Sequence, residues 1–232
     1  LRADGDLEAA EVHLEMAGEN VREEPATRTA VQLALVRVAL ARGDIDRAGA
    51  WAAQAEAFSR DFALRRAHIV ALTLSGDVAR WAGDLEGARE NYEKARSHCA
   101  GHEVDLWAAI EVQLGLTALA AEDDEAAARH LDKADAAGQR VHVDRLRIAR
   151  LPLGARESDR RFDRALDQTR RALDRRADEP DHAFCLEAAA QRADQPGRQR
   201  LLWAMAAEVW RTLGRPRRAT RAERALAALA RR

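Results

Sequence analysis

One short phrase recurs four times in the first half of the chain. It reads Gly5-Asp6-Leu7-x-x-Ala10, Gly43-Asp44-Ile45-x-x-Ala48, Gly83-Asp84-Leu85-x-x-Ala88 and a degenerate Glu122-Asp123-Asp124-x-x-Ala127, at intervals of 38, 40 and 39 residues. A fixed period of this length marks stacked structural repeats, each of which buries its apolar face against the next. Gly supplies a left-handed residue that closes one helix. The Asp after it caps the free N–H groups of the next helix and sits at its positive dipole end. Each phrase therefore predicts an antiparallel helical hairpin with a very short loop.

The residues after each Gly-Asp keep helical spacing. Leu85, Ala88, Tyr92 and Ala95 fall on one helix face, as do Leu7, Ala10, Leu14 and Ala17, then Ile45, Ala48, Ala52 and Ala55, and later Ala127, Leu131 and Ala134. Alanine recurs where helices approach closely, and a larger residue fills the space between them. Aromatic residues make up only 4%, and no alternating Val/Ile/Thr-rich run points to a sheet. About twelve helices are predicted, near 6–20, 27–42, 44–59, 64–82, 84–99, 104–121, 123–138, 142–157, 159–177, 181–193, 198–213 and 216–231. Regular spacing holds over 1–140 and lapses over 141–232, where the stretch before Gly214 leaves room for one extra helix at 181–193. Pro152 is expected to kink or interrupt its helix. Asp178-Glu179-Pro180-Asp181 reads as a helix start and Asp194-Gln195-Pro196-Gly197 as a break.

The spacing around the turns resembles the tetratricopeptide repeat. Gly76 lies seven before Gly83, followed by Ala88, Tyr92 and Ala95; Leu114-Gly115 precede Glu122, followed by Ala127, Leu131 and Ala134; Trp203 precedes Gly214, followed by Ala219. The chain departs from the family pattern at Ser75, Val36 and Glu122, and its period exceeds the usual length of about 34. The longer period resembles the helical repeat regions of large bacterial signal-transduction and transcriptional regulators. The resemblance implies an all-α, right-handed α-solenoid of antiparallel helix pairs, whose first helices line a concave partner-binding surface. Carried onto this sequence, the groove positions include Arg37 and Leu40, then Thr73, Asp77 and Arg80, then Val112, Leu116 and Leu119. The Lys/Asn/Arg set with which such domains clamp a peptide carboxylate is not among them. The mixed groove would suit an amphipathic helix or another segment of the same protein.

Charge is unevenly divided. Residues 1–137 carry 15 Lys and Arg against 26 Asp and Glu, whereas 138–232 carry 23 against 13. Arg215, Arg217, Arg218, Arg221 and Arg224 would place a basic patch on the last helix. The bland alternative is a solvated helix face, and the near-absence of Lys (only Lys94 and Lys133) reads first as coding bias. Stacking aromatics are not interleaved with the arginines, so nucleic-acid binding is disfavoured.

Little suggests catalysis. His98-Cys99-x-x-His102, followed by Glu103 and Asp105, is the one cluster with metal-ligand flavour, but the second half of a zinc site is missing. His130 and His142 read as surface or hairpin-contact residues and Cys185 as core. No phosphate loop, nucleophile elbow or His-Glu-x-x-His motif occurs. No cofactor or metal is expected. Two widely spaced cysteines and the lack of a long apolar run suggest a cytoplasmic protein with no membrane association. Leu1 is not Met and stands just before a turn phrase, so the chain is expected to begin mid-repeat, as a piece of a longer protein. The expected function is a non-catalytic scaffold that binds a protein or peptide, or regulates intramolecularly by contacting another domain of its own chain, within a larger bacterial regulatory or signalling protein. The rivals are a ligand- or peptide-sensing solenoid and a homo-oligomer built head-to-tail through opposite charges.

Overall fold

Good helix formers at helical spacing, cut by Gly-Asp and Pro, give an all-α chain. The computed structural model describes residues 2–20, 24–101, 103–138, 143–155, 160–175 and 180–230. Among the described residues lie twelve helices and no strand: α1 Arg2–Asn20, α2 Pro25–Arg42, α3 Ile45–Asp61, α4 Arg65–Ala82, α5 Leu85–His98, α6 Val104–Ala120, α7 Asp124–Ala136, α8 Val143–Gly154, α9 Arg160–Arg175, α10 Pro180–Arg192, α11 Pro196–Thr212 and α12 Pro216–Leu229.

One turn design closes five of these helices. Gly43 has φ 78°, its N–H donates to Leu40 O, and the Asp44 N–H donates to Ala39 O. This is the paired hydrogen bonding of a Schellman turn, which satisfies carbonyls that the helix end would otherwise leave open. The same pair of bonds recurs at Gly83-Asp84 and at Gly214-Arg215. It recurs twice more without glycine, at Ala63 (φ 52°) and Glu122 (φ 62°). After three of the turns the Asp side chain caps the next helix: Asp44 accepts from Arg47 N at 3.1 Å, Asp84 from Gly87 N at 2.9 Å and Asp123 from Ala126 N at 2.9 Å. The first phrase behaves differently. α1 runs straight through Gly5-Asp6.

The chain divides into two compact units, Leu1–Thr117 and Ala118–Arg232. In the first, Leu33, Val36 and Ala39 of α2 pack with Ala48, Ala52 and Ala55 of α3 and Ala71 and Leu74 of α4. The other side of α4, Ile69 and Leu72, packs with Ala88, Tyr92 and Ala95 of α5 and Ile110 and Leu114 of α6. Small side chains let neighbouring helices approach closely, and Tyr92 fills the gap that they leave.

In the second unit α10 packs against both α8 and α11, and α11 against α12. The expected extra helix at 181–193 is α10. The division lies within α6. Arg150 of α8 bonds Asp132 at 2.7 Å and Asp135 at 3.1 Å, and Arg192 of α10 bonds Asp124 at 3.0 Å and the Leu119 carbonyl at 3.3 Å. These links tie α7, whose sequence still follows the repeat, to the irregular helices after it. Pro152 does not interrupt α8. It stands in the last turn, where a proline disrupts little of the helix beyond it.

Candidate functional site

The groove positions expected in the first unit fall into different environments. Arg37 is exposed and Leu40 is half-buried against the α2–α4 core. The Thr73 hydroxyl donates back to Ile69 O at 2.8 Å. Asp77 accepts the Tyr92 hydroxyl at 2.7 Å, and Arg80, only 7% exposed, donates to Gln113 at 3.4 Å and lies 4.0 Å from Asp77. Burial and the neighbouring Asp77 carboxylate push the Tyr92 phenol well above its ordinary pKa. Asp77 and Arg80 therefore form, with Tyr92 and Gln113, an internal polar brace across α4, α5 and α6. Val112 and Leu116 are buried, and so is Leu119 in the second unit. α6 is apolar around most of its circumference, which is the pattern of a buried helix and not of a groove wall. Of these eight positions only Arg37 is exposed; Leu40, Thr73 and Asp77 are half-buried and the other four are buried.

The basic patch also sorts itself. Arg217, Arg221 and Arg224 are exposed in one row on α12, at i, i+4 and i+7, and none of the ion pairs among the described residues uses them. Arg215 is the half-buried N-cap of α12. Arg218 turns inward, with its guanidinium 5.1 Å from the centre of the Trp210 ring, and burial lowers its pKa although nearby Glu187 opposes that. Buried Trp210 donates its indole N–H to Glu187 at 2.8 Å. Glu187, Trp210 and Arg218 thus clamp α10, α11 and α12 together. Trp203 is a core residue, and so is Cys185, as expected.

The candidate metal cluster is engaged elsewhere. Arg65 donates to the His98 carbonyl at 2.8 Å and to Glu103 at 3.3 Å, while Glu103 accepts from Ala100 N at 2.9 Å. Arg66 holds Asp105 at 2.6 Å, and that hydrogen bond keeps the carboxyl below its usual range. The Cys99 thiol faces Ala95 O at 3.6 Å, and burial raises its pKa. The His98 ring meets His68 edge-on at 5.2 Å. His102 and His142 lie outside the described residues. Among the described residues no three His, Cys, Asp or Glu side chains converge as metal ligands, and no helix is long and apolar enough to cross a membrane.

The sequence did not signal a crevice of about 550 Å³ between α1, α2 and α3. Val31 and Leu35 of α2 and Trp51 of α3 give it apolar walls, with Glu15, Arg28 and Gln32 as polar lining. Arg28, Val31, Gln32 and Leu35 share one face of α2. The lone Gln in that stripe was the signal available in the sequence.

No protein-family model and no curated protein matches the sequence. Among solved structures, the fold resembles that of BtubC (BKLC) from P. vanneervenii. The superposition has a TM-score of 0.52 at 16% identity and covers 99% of this chain and 93% of that one. At this identity the likeness is one of fold.

Proposed function

We propose that this chain is a non-catalytic, tetratricopeptide-like scaffold that binds an acidic protein segment, as part of a larger bacterial regulatory protein in the cytoplasm. Another domain of the same protein would serve as well, because what the surface selects is charge. The observation that carries this reading is the row of Arg217, Arg221 and Arg224, three exposed guanidinium groups about one helical turn apart on a rigid helix. The Gly76–Tyr92 packing and the repeated capped turns support the repeat type. The right-handed solenoid remains part of the same proposal.

An acidic helical peptide is the direct probe. Fluorescence anisotropy should show saturable binding that weakens with salt and is lost when all three arginines are changed to Glu. Salt-insensitive binding, or binding that survives the triple reversal, would refute the assignment. One further observation favours self-association as a second reading. The first unit carries 13 Lys and Arg against 20 Asp and Glu, and the second carries 25 against 19. Opposite charges on two copies would attract. Light scattering at low salt distinguishes this case, because a strict monomer excludes it.

A further inference from the structure

α12 carries a hydroxyl that stands apart from others of its kind. Thr29, Thr73, Thr117 and Thr212 each turn the hydroxyl back to the carbonyl four residues earlier, at 2.8–3.1 Å. That bond is the ordinary local use of a threonine inside a helix. Thr220 is exposed, and its hydroxyl makes no hydrogen bond among the described residues.

Thr220 also sits inside the arginine row. Arg217 precedes it by three residues and Arg224 follows it by four, the spacings that bring side chains together on a helix, and Arg221 is its neighbour. Along the chain, the basic pair Arg217-Arg218 stands just before Ala219-Thr220. A protein kinase with an acidic substrate cleft selects such a charge pattern in an extended segment. α12 is lightly held against that opening. Only Ala219 and Ala222 are buried in it, so apart from the Arg218–Trp210 contact its first turns give up little when they open.

We infer that Thr220 is a phosphorylation site that switches off the arginine row, an inference that rests on the acidic-segment reading of that row. The γ-phosphoryl group of a nucleoside triphosphate passes to Thr220 Oγ1. Its bond to the nucleoside diphosphate breaks, and the hydroxyl proton goes to the base of an arginine-directed kinase. Phosphothreonine carries about −1.5 to −2 charges. Arg217 and Arg224 bridge to that phosphate from the same helix, and the net charge of the row falls to roughly one. An acidic partner then loses the charge that selects it.

The test treats the whole chain with magnesium ATP and an arginine-directed protein kinase and maps the phosphate by mass spectrometry. Thr220 should be modified, and Thr220→Val should take up no phosphate on α12. Fluorescence anisotropy with a Glu/Ala-rich helical peptide should show binding roughly tenfold weaker after phosphorylation, with a flatter salt dependence. The helical circular dichroism should not change. Thr220→Glu should weaken binding only about threefold, because a carboxylate carries less charge than a phosphate.

A chain left unmodified at Thr220 while a peptide of residues 213–225 is modified overturns the inference, since α12 then does not open. A peptide left unmodified overturns recognition of the basic pair. If the unmodified and phosphorylated chains bind the acidic peptide equally well, the switch is overturned and the acidic-segment reading stands; if neither binds, both fall. A loss of helix on phosphorylation would assign the effect to unfolding and overturn the bridged row.

Discussion

Gly76 lies mid-helix in α4, where glycine is a poor choice on propensity alone. Replacing it with Ala should stabilise an open helix by about 1 kcal/mol. In this protein the sign reverses. A Cβ on Gly76 would stand 2.5 Å from Tyr92 Cε1, 2.7 Å from Cδ1 and 2.8 Å from Cζ. The ring cannot step aside cheaply, because Tyr92 is 0% exposed and its hydroxyl is held by Asp77 at 2.7 Å. Overpacking costs about 1–3 kcal/mol, and a retreating ring would give up a charge-assisted hydrogen bond worth about 1.5–3 kcal/mol. After the propensity gain is subtracted, Gly76→Ala should destabilise the first unit by about 1.5–5 kcal/mol. Urea unfolding followed by circular dichroism measures the loss, and hydrogen exchange should place it in residues 65–98. Tyr92→Leu in the same background makes room for the methyl group, so the two changes should cost less together than the sum of their separate costs. A Gly76→Ala protein as stable as the wild type would refute the reasoning.

Other expectations follow from single contacts. Glu122→Gly relieves a left-handed residue and should stabilise the second unit by up to about 1 kcal/mol, seen as a higher Tm, since the relief exceeds the entropy that glycine adds to the unfolded chain. Burial, aided by the neighbouring His98, lowers the His68 pKa below its ordinary value of 6.5. Its neutral form is favoured by folding, so its contribution is complete above about pH 6.5, declines as pH falls below that and levels off beneath the folded value. His68→Gln should flatten that part of the stability–pH curve. Glu187→Leu strands the Trp210 indole N–H and should cost about 1–3 kcal/mol, whereas Glu187→Gln keeps an acceptor and should cost less, as measured by urea unfolding.

The turns and helices were legible because their chemistry is local. Asp44, Asp84 and Asp123 cap the helices that follow them, and the columns Ala48/Ala52/Ala55 and Ala88/Tyr92/Ala95 are buried. Surface assignments travelled less well. Arg80 and Arg218 look like groove and patch residues in the sequence, since nothing in their own helices reveals that Gln113, 33 residues on, or Trp210, on the preceding helix, receives them. Val112 and Leu116 sit at positions that usually face a groove, but the apolar girth of α6 buries them.

Glutamate at the fourth phrase and alanine at position 63 perform a turn that elsewhere uses glycine. The backbone carbonyls of the departing helix specify that turn, so the left-handed residue itself can drift at a bounded energetic cost. The durable record of repetition is thus the capping Asp and the alanine columns. A search for further repeats in related chains that keys on glycine would undercount them, and one that keys on Asp followed four residues later by Ala would recover the fourth unit here.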